Sequence, residues 1–100
     1  MTADEALTLI NSFEVPAGKL EEAILHWEQG RDVLQKQHGY ISTALHQSLT
    51  EEARFRLVNV AKWESVETFT AAIKIMQADP SISKVEGLTP NPALYTVIRN

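Results

Sequence analysis

The sequence predicts an α+β fold of order β-α-β-β-α-β, and three observations lead there. Four segments alternate apolar and polar residues with period two, as half-buried strands do. Two others repeat apolar residues at helical spacing. A polar turn, "TEEA" at 50–53, joins the second and third strands as a hairpin. A chain of 100 residues is the size of one domain, and residues 1–100 are expected to form a single one.

The first strand spans 7–15, "LTLINSFEV". Leu7, Leu9, Asn11, Phe13 and Val15 share one face, and Pro16-Ala17-Gly18 ends it. Residues 19–37 switch period: Leu20, Ile24, Trp27 and Leu34 form one stripe with Ala23 and Gly30 beside it, while Glu21, Glu22, Glu28 and Asp32 lie mostly off it. His38-Gly39 closes this helix, since glycine accepts the left-handed C-cap conformation. The second strand is 40–49 and the third 54–63, "RFRLVNVAKW". Ser65 caps a second helix over 66–78, in which Val66, Phe69, Ile73 and Met76 share a stripe, and Asp79-Pro80 ends it. "SISKVEGL" (81–88) is read as a short helix stopped by Gly87. "TPNP" (89–92) is a rigid loop, because its prolines fix their own dihedrals and restrict their neighbours. "ALYTVI" (93–98) is the fourth strand.

This order is the split βαβ arrangement of ferredoxin-like folds, and right-handed crossovers place strands one and three together at the sheet's centre. Helices cover one face. The other is predicted to carry a second apolar set of Ile10, Val58, Val60, Leu94 and Ile98. A two-helix domain leaves that set uncovered, so a homodimer packed sheet to sheet is expected.

Composition removes several function classes. The net charge is −4 and the nine Lys and Arg are scattered singly, so no basic patch exists for nucleic acid. Cysteine is absent, which removes disulfides, thiolate nucleophiles and thiolate metal sites. The start, "MTADEALTLI", is acidic where a signal peptide would be basic, and no apolar run is long enough for a membrane span; a cytoplasmic protein is expected. His26, His38 and His46 have no metal-ligand spacing, and the four glycines form no phosphate loop.

What remains is a polar anomaly. Asn11 and Asn59 each sit on an otherwise apolar strand face, the latter with Leu57, Ala61 and Trp63. If strands one and three are neighbours, both amides lie between sheet and helices. A buried amide without a partner costs about 1–3 kcal/mol, so the pair needs a reason. They bond each other, a helix end or water, or they line a cleft that a polar aromatic ligand fills. An amide donor suits a developing oxyanion, and Trp63 offers a flat aromatic wall. His46 shares its strand face with Ser42 and Ala44 and reaches such a cleft only if that face meets the helices. His26, next to Trp27, is expected to point to solvent.

The segments "LTLINSFEVPAGKLEEA", "HGYISTALHQSL", "FRLVNVAKWESVETFTAA" and "ALYTVIRN" together resemble the antibiotic biosynthesis monooxygenase family over nearly the whole chain. The most telling piece, "VNVAKWES", is similar to the V-N-x-A-x-W strand of members that make quinones from aromatic polyketides such as anthrones. The resemblance implies a dimeric α+β barrel that needs no metal, flavin or haem, with a small aromatic substrate and O₂ as its partners. It implies that Asn59 and Trp63 bind and activate the substrate, that Asn11 matches a strand-one Asn of some members, and that His46 matches a His of one subgroup and is a candidate base. The implied reaction deprotonates a phenol or anthrone, passes an electron to O₂ and loses water to leave a quinone. Two departures stand out: Phe69 replaces a helix-two Tyr, and Lys84 is the nearest cation to an Arg those members carry after helix two. Haem-degrading relatives have an Asn and a Trp that Asn11 and Trp63 would fill, but they need a helix-two His ligand, and no histidine follows His46. A binding protein of the same fold without turnover is the remaining alternative.

Overall fold

A computed structural model describes residues 6–100. Its elements are β1 (Leu7–Phe13), α1 (Leu20–Leu34), β2 (Tyr40–Gln47), β3 (Leu57–Trp63), α2 (Val66–Gln77) and β4 (Pro92–Tyr95). The four strands form one antiparallel sheet in the order β2-β3-β1-β4, the ferredoxin-like order with β1 and β3 at the centre. Among the described residues no helix is long and apolar enough to cross a membrane.

Local chemistry explains the joints. Ser65 caps α2, its hydroxyl accepting from the Thr68 N–H at 3.1 Å. The hairpin turn is held by the Arg56 guanidinium, which donates to the carbonyl oxygens of Ser48 and Thr50. Gly39, at φ +92°, makes the tight passage from α1 into β2, and its carbonyl oxygen accepts from the Glu64 N–H at 2.8 Å. Gly30 is buried where α1 meets α2: a Cβ there would sit 3.2 Å from Met76 Sδ, so its absence lets the helices close.

On β3 the burial alternates strictly, with Leu57, Asn59, Ala61 and Trp63 buried under the helices. The core is in two parts. Leu9, Ala61, Trp63 and Ala72 form one, joined by Leu34, Tyr40 and Phe69. Phe13, Ala23 and Leu57 form the other, joined by Leu20, Ile24, Trp27 and Leu45. The cross-strand pair Asn11–Asn59 lies between them.

β2 carries a bulge. Tyr40 pairs with Trp63 and Ser42 with Lys62, leaving Ile41 as the extra residue. Tyr40, Thr43 and Leu45 therefore face the helices, opposite Trp63, Ala61 and Asn59, while Ser42, Ala44 and His46 lie on the open face.

Three expectations are corrected. Residues 81–88 form turns rather than a helix, because tertiary contacts claim their backbone: Gln29 Oε1 accepts from the Ser83 N–H at 2.7 Å. β4 ends at Tyr95, which pairs with Thr8 near the start of β1, so Thr96–Ile98 extend past the described pairing. Leu94 pairs with Leu9 and faces the helices, and Ile98 lies beyond the strand, so neither belongs to the open-face set. That face instead carries Ile10, Val58, Val60, Ala44 and Ala93, edged by Lys62, whose Nζ donates to Thr8 Oγ1 at 2.8 Å.

Candidate functional site

Between sheet and helices, where the two halves of the core part, lies a cavity of about 660 Å³. This is within the size range of small-molecule sites, and its walls are mostly apolar with a few converging polar groups. The sheet contributes Asn11, Asn59, Trp63, Tyr40 and Thr43, and the helices contribute Trp27, Leu34, Phe69, Ile73 and Met76. The segment after α2 closes one side with Ile82, Val85, Leu88 and Pro90.

Asn59 is 7% exposed, the one buried polar residue among those described. Its Oδ1 accepts from the Thr43 hydroxyl at 2.6 Å. Among the described residues its Nδ2 has no partner, yet no buried side-chain nitrogen or oxygen there lacks one, so Nδ2 opens onto the cavity. Asn11 repeats this pattern. Its Oδ1 accepts from the Asn91 backbone N–H at 3.0 Å, and its Nδ2 has no partner among the described residues. Two NH₂ groups from neighbouring strands thus stand side by side.

Trp63 sits one row away at 1% exposure. Its ring is fixed by edge contacts with Tyr40, centroids 5.6 Å apart, and with Phe69, 5.7 Å apart. The indole N–H makes no hydrogen bond among the described residues and is not sealed off, so it too opens onto the cavity.

The rim is pinned to α1. His26 Nδ1 lies 2.6 Å from the Ser83 carbonyl oxygen, and since a carbonyl only accepts, Nδ1 carries the proton. Gln29 Oε1 takes both the N–H and the hydroxyl of Ser83. His26 is therefore half-buried and engaged rather than directed to solvent. Asp79, also at the rim, has its carboxyl held below the usual value by the Ser81 hydroxyl and then the Ser81 backbone N–H.

The fold thus brings together Asn11, Asn59 and Trp63. It does not bring His46, which lies exposed on the open face opposite Val58, its Nδ1 3.3 Å from the Val58 carbonyl oxygen. The bulge at Ile41 leaves Thr43, not His46, beside Asn59. Thr43, Tyr40 and Asn91 are the site residues that sequence reasoning passed over. The two prolines of "TPNP" were the visible signal for Asn91, and nothing in the alternation of β2 marks the bulge.

The comparisons with known proteins bear on the family and the fold. Residues 6–74 match the family model for antibiotic biosynthesis monooxygenases. The crystal structure of a candidate monooxygenase from Shewanella loihica PV-4 is 50% identical, with a TM-score of 0.88 over 95% of this chain and 96% of that one. At 20% identity, SnoaB, a cofactor-independent oxygenase from Streptomyces nogalater, shares the fold with a TM-score of 0.72 over 96% of each chain. So does a variant of MhuD holding two manganese protoporphyrin IX molecules per active site, at 23% identity and a TM-score of 0.73 over 94% of this chain and 96% of that one. No curated protein matches the chain. With more than half of its residues matched, the chain belongs to the antibiotic biosynthesis monooxygenase family.

Proposed function

We propose that this family member is a cofactor-independent monooxygenase that oxidises an aromatic, polyketide-like or hydroquinone substrate with O₂ to a quinone. The observation that carries the reading is the convergence of three donors, on Asn11, Asn59 and Trp63, without partners among the described residues, in one largely apolar cavity. Donors fixed in a low-dielectric pocket favour the oxyanion of a deprotonated phenol or anthrone over its neutral form. That anion is electron-rich enough to pass one electron to O₂. The resulting radical and superoxide join through a C–O bond, and the peroxide takes up a proton. Loss of water, with cleavage of the O–O bond and departure of the carbon-bound hydrogen as a proton, leaves the carbonyl. For an anthrone, R₂CH₂ + O₂ becomes R₂C=O + H₂O, which balances without a further reductant. The first proton leaves to water at the cavity mouth, so the chain's task is to bind, orient and stabilise the anion.

The reading includes a homodimer packed through the open face. Ile10, Val58 and Val60 recur there at alternating positions of the two central strands, and Tyr95 at the end of β4 and Val97 and Ile98 after it are 50–75% exposed. Apolar groups so arranged gain by burial against a second copy.

The test is oxygen uptake by metal-free protein given 1,8-dihydroxyanthrone under ¹⁸O₂. The expected result is enzyme-dependent uptake, with one labelled oxygen in the quinone carbonyl. No uptake over buffer with anthrones and hydroquinones overturns the reading, and a Soret shift on haem addition would redirect it to porphyrin.

A further inference from the structure

We propose that Thr43 is a positioning residue that holds Asn59 as a hydrogen-bond donor, so that the paired amides take an acceptor-only oxygen, a phenolate or enolate. The proposal rests on the reading above and names the form in which the substrate is held.

An asparagine offers an acceptor on one side and a donor on the other, and the side turned to the ligand decides what binds. Here both carbonyl oxygens are already used, each by a different device. On Asn11 the partner is a backbone N–H, which only donates, so Oδ1 must face it and Nδ2 must face away. The loop that presents this N–H, Thr89–Pro92, has two prolines and is tied to β1 by the Asn91 side chain, whose Nδ2 donates to the Ser12 carbonyl oxygen at 2.9 Å. On Asn59 the partner is the Thr43 hydroxyl at 2.6 Å, delivered to the helix side by the bulge. Cross-strand neighbours have Cβ atoms about 4.5–5.5 Å apart, so the two NH₂ groups reach one oxygen. A phenol bound there could accept from both amides only with its own proton unmatched by either. A phenolate accepts from both, and hydrogen bonds to an ionised oxygen are about twice as strong as neutral ones.

The experiment uses 2-hydroxyanthraquinone, whose phenol and phenolate absorb at different visible wavelengths, titrated with pH in excess protein. Wild type is expected to lower the probe's ionisation pH by about one unit, a tenfold preference for the phenolate. Thr43→Val and Thr43→Ala are expected to lose most of this shift while still binding the protonated probe. Thr43→Ser restores it, because the hydroxyl is kept, and Asn59→Ala abolishes it. Retention of the full shift in both Thr43→Val and Thr43→Ala, with loss in Asn59→Ala, overturns the role of Thr43 and leaves the donor site standing. No binding or no shift in wild type, or an equal shift in Asn59→Ala, overturns the anion-binding proposal itself. None of these readouts depends on turnover, so silence in oxygen uptake is a separate result.

Discussion

Asn11 and Asn59 stand directly opposite each other on β1 and β3 without hydrogen-bonding to one another. Each is held from the flank, Asn11 by the loop before β4 and Asn59 by β2. A mutual bond would have satisfied a buried and a half-buried amide and left an ordinary core. Holding them apart leaves both NH₂ groups without a partner among the described residues, where the two halves of the apolar core part.

Replacing Asn59 with Ala removes the more deeply buried donor. Loss of one such donor costs on the order of 10²–10³ in kcat. Oxygen uptake with 1,8-dihydroxyanthrone should fall by that factor. The Thr43 hydroxyl loses its partner as well, so thermal denaturation should show a loss of only about 1 kcal/mol.

Trp63 has two separable roles. Trp63→Ala empties the centre of one half of the core and should cost about 3–5 kcal/mol in denaturant unfolding. Trp63→Phe keeps an aromatic ring between Tyr40 and Phe69 but removes the N–H. It should remain folded by circular dichroism and show a lower kcat with anthrone, which isolates the donor from the wall.

Gly39→Ala tests the joint between α1 and β2. The backbone there is at φ +92°, and a Cβ would collide with Cβ and Oγ1 of Thr68 on α2. The left-handed conformation alone costs a residue with Cβ about 1–2 kcal/mol, and the collision adds to it. A loss above about 2 kcal/mol is expected, which lowers Tm by roughly 8–16 °C for a domain this size.

Val60→Asp places a carboxylate at the middle of the open face, beside Ile10 and Ala44. Light scattering should report a dimer for the wild-type protein and a monomer for the variant. A monomeric wild type would remove the dimer from the functional reading.

Much of this architecture was legible because local pattern and global fold agree. The alternation in "LTLINSF" and "LVNVAKW" fixes which residues face the helices, so the convergence of Asn11, Asn59 and Trp63 could be read before any coordinates. Three features could not. The turns at 81–88 depend on His26 and Gln29, more than fifty positions away, which no local period reports. The end of β4 is set by where its partner β1 begins, not by the apolar run through Ile98. The partner of Asn59 depends on a single unpaired residue, Ile41, to which alternation is blind.

That residue acts on its strand as a frameshift acts on a reading frame. Deleting it would restore plain alternation with Tyr40 still opposite Trp63 and Thr43 still beside Asn59, whereas drawing it into the ladder would turn one of the two away from the helices. If Tyr40 turned, Trp63 would be braced on one edge only, and if Thr43 turned, Asn59 would lose its hydroxyl partner. When relatives are aligned, a gap placed after Thr43 instead of at Ile41 would credit the wrong side chain with contacting the amide. Whether Ile41 bulges out or joins the ladder, as much as the residues around it, is therefore part of the site.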